Sequence, residues 1–179
     1  MSRILLVDDE ENILKSLRRL LLAHDYEVEY FVDPQEALRR ANVVNFDLVI
    51  ADYRMPGMDG VAFLSAFRDC QPAAMRIILS AYSDASALLG AINEAHIFRF
   101  ISKPWGDDEL LGVVRQALEY RALRLENERL ADQIRRQQGI ISRQELALKK
   151  MERDHPALFR VERDADGAII LNDEEDPSL

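Results

Sequence analysis

Through the first hundred or so residues, short β-branched apolar runs alternate with stretches whose apolar side chains recur every three or four positions. The runs fall at 4–7, 28–32, 48–51, 77–79 and 98–101. Between them, Ile13, Leu14, Leu17, Leu20 and Leu21 form one helical stripe, and similar stretches cover 34–41, 61–67 and 85–94. A last helix is expected to begin near Asp107. Strands that are apolar throughout and alternate with helices predict a parallel sheet covered on both faces. The expected architecture is a doubly wound, five-stranded α/β domain over residues 1–120.

The helical pattern does not stop there. It continues to about Met151 without a proline and with a single glycine, Gly139. Tyr120, Leu123, Asn127, Leu130, Ile134, Gln137, Ile141, Gln144, Leu148 and Met151 follow alternating spacings of three and four. That is an a/d heptad seam sustained for about four heptads. Asn127 on the seam favours a two-stranded parallel pairing in one register, while Gln137, Gln144 and Gly139 weaken its centre. Residues 121–153 are therefore expected to be a coiled-coil extension, and residues 120–151 to pair two copies of the chain. Over 154–179 the segment LFRVERDADGAIIL predicts a β-hairpin, followed by the acidic tail Asp173, Glu174, Glu175 and Asp176. DADG resembles a fragment of a calcium loop, but the other ligands and the terminal glutamate are absent.

Composition narrows the classes. The chain has 179 residues, 48% of them hydrophobic and 31% charged, which is that of a globular protein with one sizeable core. No apolar run approaches the roughly 20 residues needed to span a bilayer, and the N-terminus lacks a signal-peptide pattern. Cys70 is the only cysteine; it excludes an internal disulfide, fits a cytoplasmic location, and reads as a small semi-buried hydrophobe. The net charge of −9 argues against nucleic acid as a partner of the chain as a whole, although residues from about Arg121 to Arg153 are locally basic.

The candidate chemistry lies where strands end. In an open α/β sheet the loops at the carboxyl edge converge on one crevice. Asp8 and Asp9 follow the first strand, Asp52 ends the third, Ser80 the fourth and Lys103 the fifth. Clustered carboxylates repel unless a cation sits among them. Mg²⁺ prefers oxygen ligands and is often held by one or two carboxylates plus phosphate oxygens. Lys103 adds a mobile charge for a phosphoryl oxygen, and Ser80 a hydroxyl donor. Together they form a site for in-line phosphoryl transfer to an aspartate. Taken singly each has a plainer reading: Asp8 and Asp9 as caps of the next helix, Asp52 as a turn residue, Ser80 as a cap, Lys103 as a solvated side chain. Their joint placement at four strand ends favours the site.

The segments ILLVDDE, VIADYRMPGMDG, IILSAYSD and FRFISKPW carry a resemblance to the CheY-like receiver domains of two-component response regulators, over roughly residues 3 to 120. The resemblance implies a flavodoxin-like fold. It implies that Asp52 accepts a phosphoryl group from a sensor histidine kinase, with Lys103 pairing with that group. Asp9 would bind Mg²⁺ directly, Asp8 directly or through water, and the Arg54 main-chain carbonyl would complete the protein ligands. Ser80 and Phe100 match the hydroxyl and aromatic switch pair, and the Lys103–Pro104 bond is expected to be cis. Arg54 would also lie near the route of a hydrolytic water.

Three functions are compatible with these features. One is a signalling adaptor that works through a dimeric coiled coil and an unknown output protein, with no membrane partner and no enzymatic turnover beyond its own phosphorylation and dephosphorylation. The second is a regulator acting on DNA or RNA through the basic helix, or a receiver belonging to a larger output enzyme such as a cyclic-di-GMP phosphodiesterase. The third is an aspartate-based phosphohydrolase. The residues after Tyr120 are too few for a winged-helix, ATPase or cyclic-dinucleotide module.

Overall fold

A computed structural model describes residues 1–81 and 95–154. In chain order the elements are β1 (Arg3–Val7), α1 (Glu11–Leu22), β2 (Glu27–Phe31), α2 (Pro34–Ala41), β3 (Leu48–Asp52), α3 (Gly60–Cys70), β4 (Met75–Ala81), β5 (Arg99–Lys103) and α4 (Asp107–Asp154). The helix expected over 85–94 and the hairpin and acidic tail expected after Asp154 lie outside the described residues.

The five strands form one parallel sheet in the order β2-β1-β3-β4-β5. Side chains alternate between the two faces of a strand, and that alternation sorts the core into two layers. Leu5, Val7, Val49 and Ile78 meet Ala37 and Ala41 of α2 and Phe63, Leu64 and Phe67 of α3. Ile4, Leu6, Ile50, Ile77 and Leu79 meet Leu14, Leu17 and Leu21 of α1 and Leu110, Val114 and Ala117 of α4. Both faces are thus covered, as the uninterrupted apolar runs predict. Coverage is thinner at the sheet edges, β2 and β5, because each has a strand neighbour on one side only.

Local chemistry starts the helices. Asp33 accepts from the Gln35 amide with Pro34 in the first turn of α2, and Asp59 accepts from the Ala62 amide at the start of α3. Asp107, Asp108 and Glu109 put negative charge at the N-terminus of α4, where the helix dipole favours it.

The chain divides after Glu128 into two compact units. Within the first, α4 remains attached beyond its buried stripe. Arg121 pairs with Asp47 at 2.7 Å and its Nε donates to the Ala73 carbonyl at 3.1 Å. Arg124 donates to the Ala73 and Pro72 carbonyls at 2.9 and 3.3 Å. From Glu126 to Asp154 every residue is exposed, including the apolar seam residues Leu130, Ile134, Ile141, Leu148 and Met151.

Cys70 departs from expectation: it is exposed. The buried stripe of α3 runs through Gly60, Phe63, Leu64 and Phe67, and the next inward position belongs to Gln71. The Gln71 side chain accepts from the Phe46 amide at 2.8 Å and donates to the Ala41 and Val44 carbonyls, each at 2.6 Å. A polar side chain takes the inward place because three backbone groups, two of them buried, need partners, which leaves Cys70 facing solvent.

Replacing Gln71 by leucine orphans those groups and is expected to cost about 2 kcal/mol or more. Cys70→Ala is expected to stay within about 0.5 kcal/mol. Urea unfolding midpoints of the two variants measure the contrast.

Candidate functional site

The carboxyl edge of the sheet brings Asp8, Asp9, Asp52, Ser80 and Lys103 to one rim. Strand register aligns them: Val7 pairs with Ala51, Asp52 with Leu79, and Ala81 with Lys103. Asp8, Asp52 and Ser80 are buried, whereas Asp9 is exposed.

Lys103 is the hub. Its Nζ lies 2.6 Å from Asp52 Oδ1 and 2.8 Å from Asp8 Oδ2. The remaining carboxylate oxygens are held by backbone amides: Glu10 N donates to Asp8 Oδ1 and Arg54 N to Asp52 Oδ2, each at 2.8 Å. One cation and two turns therefore hold two buried acids side by side. Burial is the largest influence on Asp8 and holds its pKa above the ordinary value, against the lowering effects of Lys103 and the Glu10 amide. At Lys103 burial is again the largest single influence and pulls downward. Hydrogen bonds to Asp52 and Asp8, with their charges, together outweigh it and hold the ammonium above its usual range.

The plainer reading of Asp8 and Asp9 as caps does not describe this rim. The residue at the N-cap of α1 is Glu10, and it makes no side-chain cap bond. Carboxylate oxygens of Asp8, Asp9 and Asp52 all lie within 4.8 Å of one another. An all-oxygen set of this compactness, with one acid exposed, fits a small hard divalent cation. The Ser80 hydroxyl donates to the Ala81 carbonyl at 3.1 Å. Phe100, opposite Ile78 in the register, is 39% exposed and lines a surface groove with Ser102, Glu109 and Gln116. The Lys103–Pro104 peptide bond is cis, as the resemblance implies.

One residue escaped the sequence reading. Gly60 closes the loop after Asp52, its amide donating to the Tyr53 carbonyl at 2.8 Å. A Cβ there would overlap the carbonyl oxygen of Asp52 and come within 3.0 Å of the Tyr53 Cα. The helix start sits directly against the backbone of the central aspartate, so no side chain fits. The signal was the second glycine of the Pro56–Gly60 turn; the first, Gly57, has φ +79° and serves conformation instead.

The family described as "Response regulator receiver domain" matches residues 4–115. The hydrogenase transcriptional regulatory protein HoxA of Cupriavidus necator is 36% identical over 132 residues, which is 74% of this chain and 27% of that protein. The transcriptional regulatory protein GlrR of Escherichia coli K12 is 30% identical over 171 residues, 96% of this chain and 36% of that protein. Among solved structures, the signal receiver domain of an HD domain-containing protein from Pseudomonas fluorescens Pf-5 superposes with a TM-score of 0.66 at 39% identity, covering 70% of this chain and 92% of that one. This chain spans between about a quarter and just over a third of the two curated relatives. Both are named transcriptional regulators, so the expectation that nucleic acid is no partner finds no support in them.

Replacing Lys103 by methionine leaves Asp8 and Asp52 buried without their shared cation. The variant is expected to lose roughly 3 kcal/mol in metal-free buffer, while Asp9→Ala, at an exposed position, changes stability little. Gly60→Val should be destabilised as well, through overlap with the Asp52 carbonyl. Chemical denaturation of the three variants reads these differences.

Proposed function

The chain belongs to the response regulator receiver domain family, and from that premise we propose that Asp52 accepts a phosphoryl group from a phosphohistidine of a sensor kinase in the cytoplasm. The observation that carries the reading is the Lys103 ammonium lying 2.6 Å from Asp52 and 2.8 Å from Asp8 on one rim. An Asp52 carboxylate oxygen attacks phosphorus, the N–P bond breaks, and the imidazole leaves with its electron pair. Lys103 follows the charge from the carboxylate oxygen to a phosphoryl oxygen, and the Arg54 amide keeps the other carboxylate oxygen in place. Asp8, Asp9, Asp52 and the Arg54 main-chain carbonyl would hold Mg²⁺, which supplies neutralisation of the phosphoryl charge. Arg54, two residues after Asp52, tunes the lifetime of the acyl phosphate.

The switch follows from the same rim. Ser80 gives up its bond to the Ala81 carbonyl for a phosphoryl oxygen, and the Phe100 ring moves from its half-exposed position toward the vacated space. With no hydroxyl on the ring, the two states differ by packing alone. Such a change is a two-state shift driven by local charge. We take residues 1–120 as the receiver and 121–153 as a coiled coil whose 120–151 seam pairs two copies; its apolar side chains are exposed along the whole of Leu130–Met151 in the single chain.

A second reading of the output is favoured by the relatives named transcriptional regulators: action on nucleic acid. It shares the same phosphoryl chemistry and differs only in what the signal reaches.

Incubation with acetyl phosphate and magnesium is expected to add one phosphoryl group per chain, seen by intact mass. Asp52→Asn and chelation with EDTA should each abolish it. Continuous hydrolysis of small phosphate esters would instead make the site a phosphohydrolase. Separately, Leu130→Asp with Ile134→Asp is expected to convert a dimer in sedimentation to a monomer, with phosphorylation intact.

A further inference from the structure

The long helix distributes its charges by side. On the heptad that puts Leu130, Ile134, Ile141 and Leu148 on the seam, Arg129, Arg136, Arg143 and Lys150 recur every seven residues on the opposite side. Arg135, Lys149 and Arg153 flank that row. Every lysine and arginine between Arg129 and Asp154 lies on this outer side, while Glu145, Glu152 and Asp154 lie beside the seam. The outer acid in the same stretch is Asp132, and it is engaged by Arg135 at 2.6 Å.

A solvated helix normally spaces opposite charges three or four residues apart, where they pair. Here that arrangement is missing around Arg143, whose neighbours at those spacings are Gly139, Ile140, Leu146 and Ala147. Among the described residues no ion pair forms at Arg136, Arg143, Lys149 or Lys150, and all four are exposed. At 1.5 Å per residue the row extends for about 32 Å, close to one turn of duplex, about 34 Å.

We propose that this outer ridge binds the phosphate backbone of a nucleic-acid duplex without sequence preference. The inference rests on the second output reading above, and on neither the seam nor the phosphoryl chemistry. Five of the seven cations are arginine, whose fork suits phosphate oxygens. No aromatic residue occurs between Arg129 and Asp154, so the stacking that single strands need is absent. The outer side carries one large apolar residue, Leu146, too little for the apolar anchor of a protein interface. The net charge of −9 belongs to the rest of the chain: residues 129–154 carry seven lysines and arginines against four acids. The ridge faces away from the seam, so a paired helix keeps both of its ridges available.

The test is fluorescence anisotropy of the full-length chain with a labelled duplex of random sequence, titrated at several KCl concentrations. Wild type is expected to bind at low salt and to weaken steeply as salt rises. Arg136→Gln, Arg143→Gln and Lys150→Gln together should lower affinity roughly tenfold or more and flatten the salt slope by about three per helix. Circular dichroism checks that the helix is kept. Removing the same charge from the receiver surface with Arg18→Gln, Arg19→Gln and Arg39→Gln should leave affinity within about twofold of wild type. Equal losses in the two triple variants would overturn the ridge while leaving a nucleic-acid output standing. No binding of duplex at low salt would overturn both. Tighter binding to polyglutamate or to phosphatidylserine vesicles than to duplex would assign the ridge to an acidic protein or a membrane surface instead.

Discussion

Two buried carboxylates and a third exposed one cannot share a sheet edge unless something positive lies between them, and in this chain that is the Lys103 ammonium. Its bonds to Asp8 and Asp52 tie the end of β1 to the end of β3 through the last residue of β5. The strand order places β1 next to β3 and β5 at the far edge, so the lysine reaches past β4 to Asp52 and past β4 and β3 to Asp8. These two bonds offset the repulsion between the carboxylates at the rim. The stability of both acids thus draws on one cation, and loss of Lys103 would loosen them together.

The fold was legible because its signals are periodic. Uninterrupted apolar runs in β1, β3 and β4 pointed to a sheet covered on both sides, and the two core layers follow from alternation along those runs. The rim was legible for a related reason: strand ends are the points where periodicity stops, and five polar residues of matched chemistry stood at four of them. What escaped notice was aperiodic. Gln71 looks like a loop residue and is a buried connector; Cys70 looks like a hydrophobe and is exposed because Gln71 holds the inward place. Arg121 looks like the first residue of a coiled coil, yet it is bonded to Asp47 and Ala73 of the receiver. Gly60 owes its importance to one backbone oxygen lying 8 positions earlier in the chain. Contacts of this kind join residues that no local window contains.

The long helix carries two patterns at once. Its apolar seam has the spacing of a pairing surface and its cations have the spacing of a ridge, and the two never occupy the same positions between Arg129 and Asp154. A sequence under pressure only to remain soluble would intersperse its charges, since mixed signs on an exposed face are mutually supportive. Segregation by side means that changes to one surface leave the other intact.

The contact between Gly60 and the Asp52 carbonyl has a consequence for how such a domain can diversify. With the first turn of α3 resting on the main chain of Asp52, the five residues from Arg54 to Met58 form an arch whose two feet are fastened independently. Within the arch Met55 is held in the core and Gly57 by its φ of +79°, so exchange without moving Asp52 is open at exposed Arg54. Variation is thereby confined to the outward side of the arch, while its footing on the Asp52 main chain stays fixed.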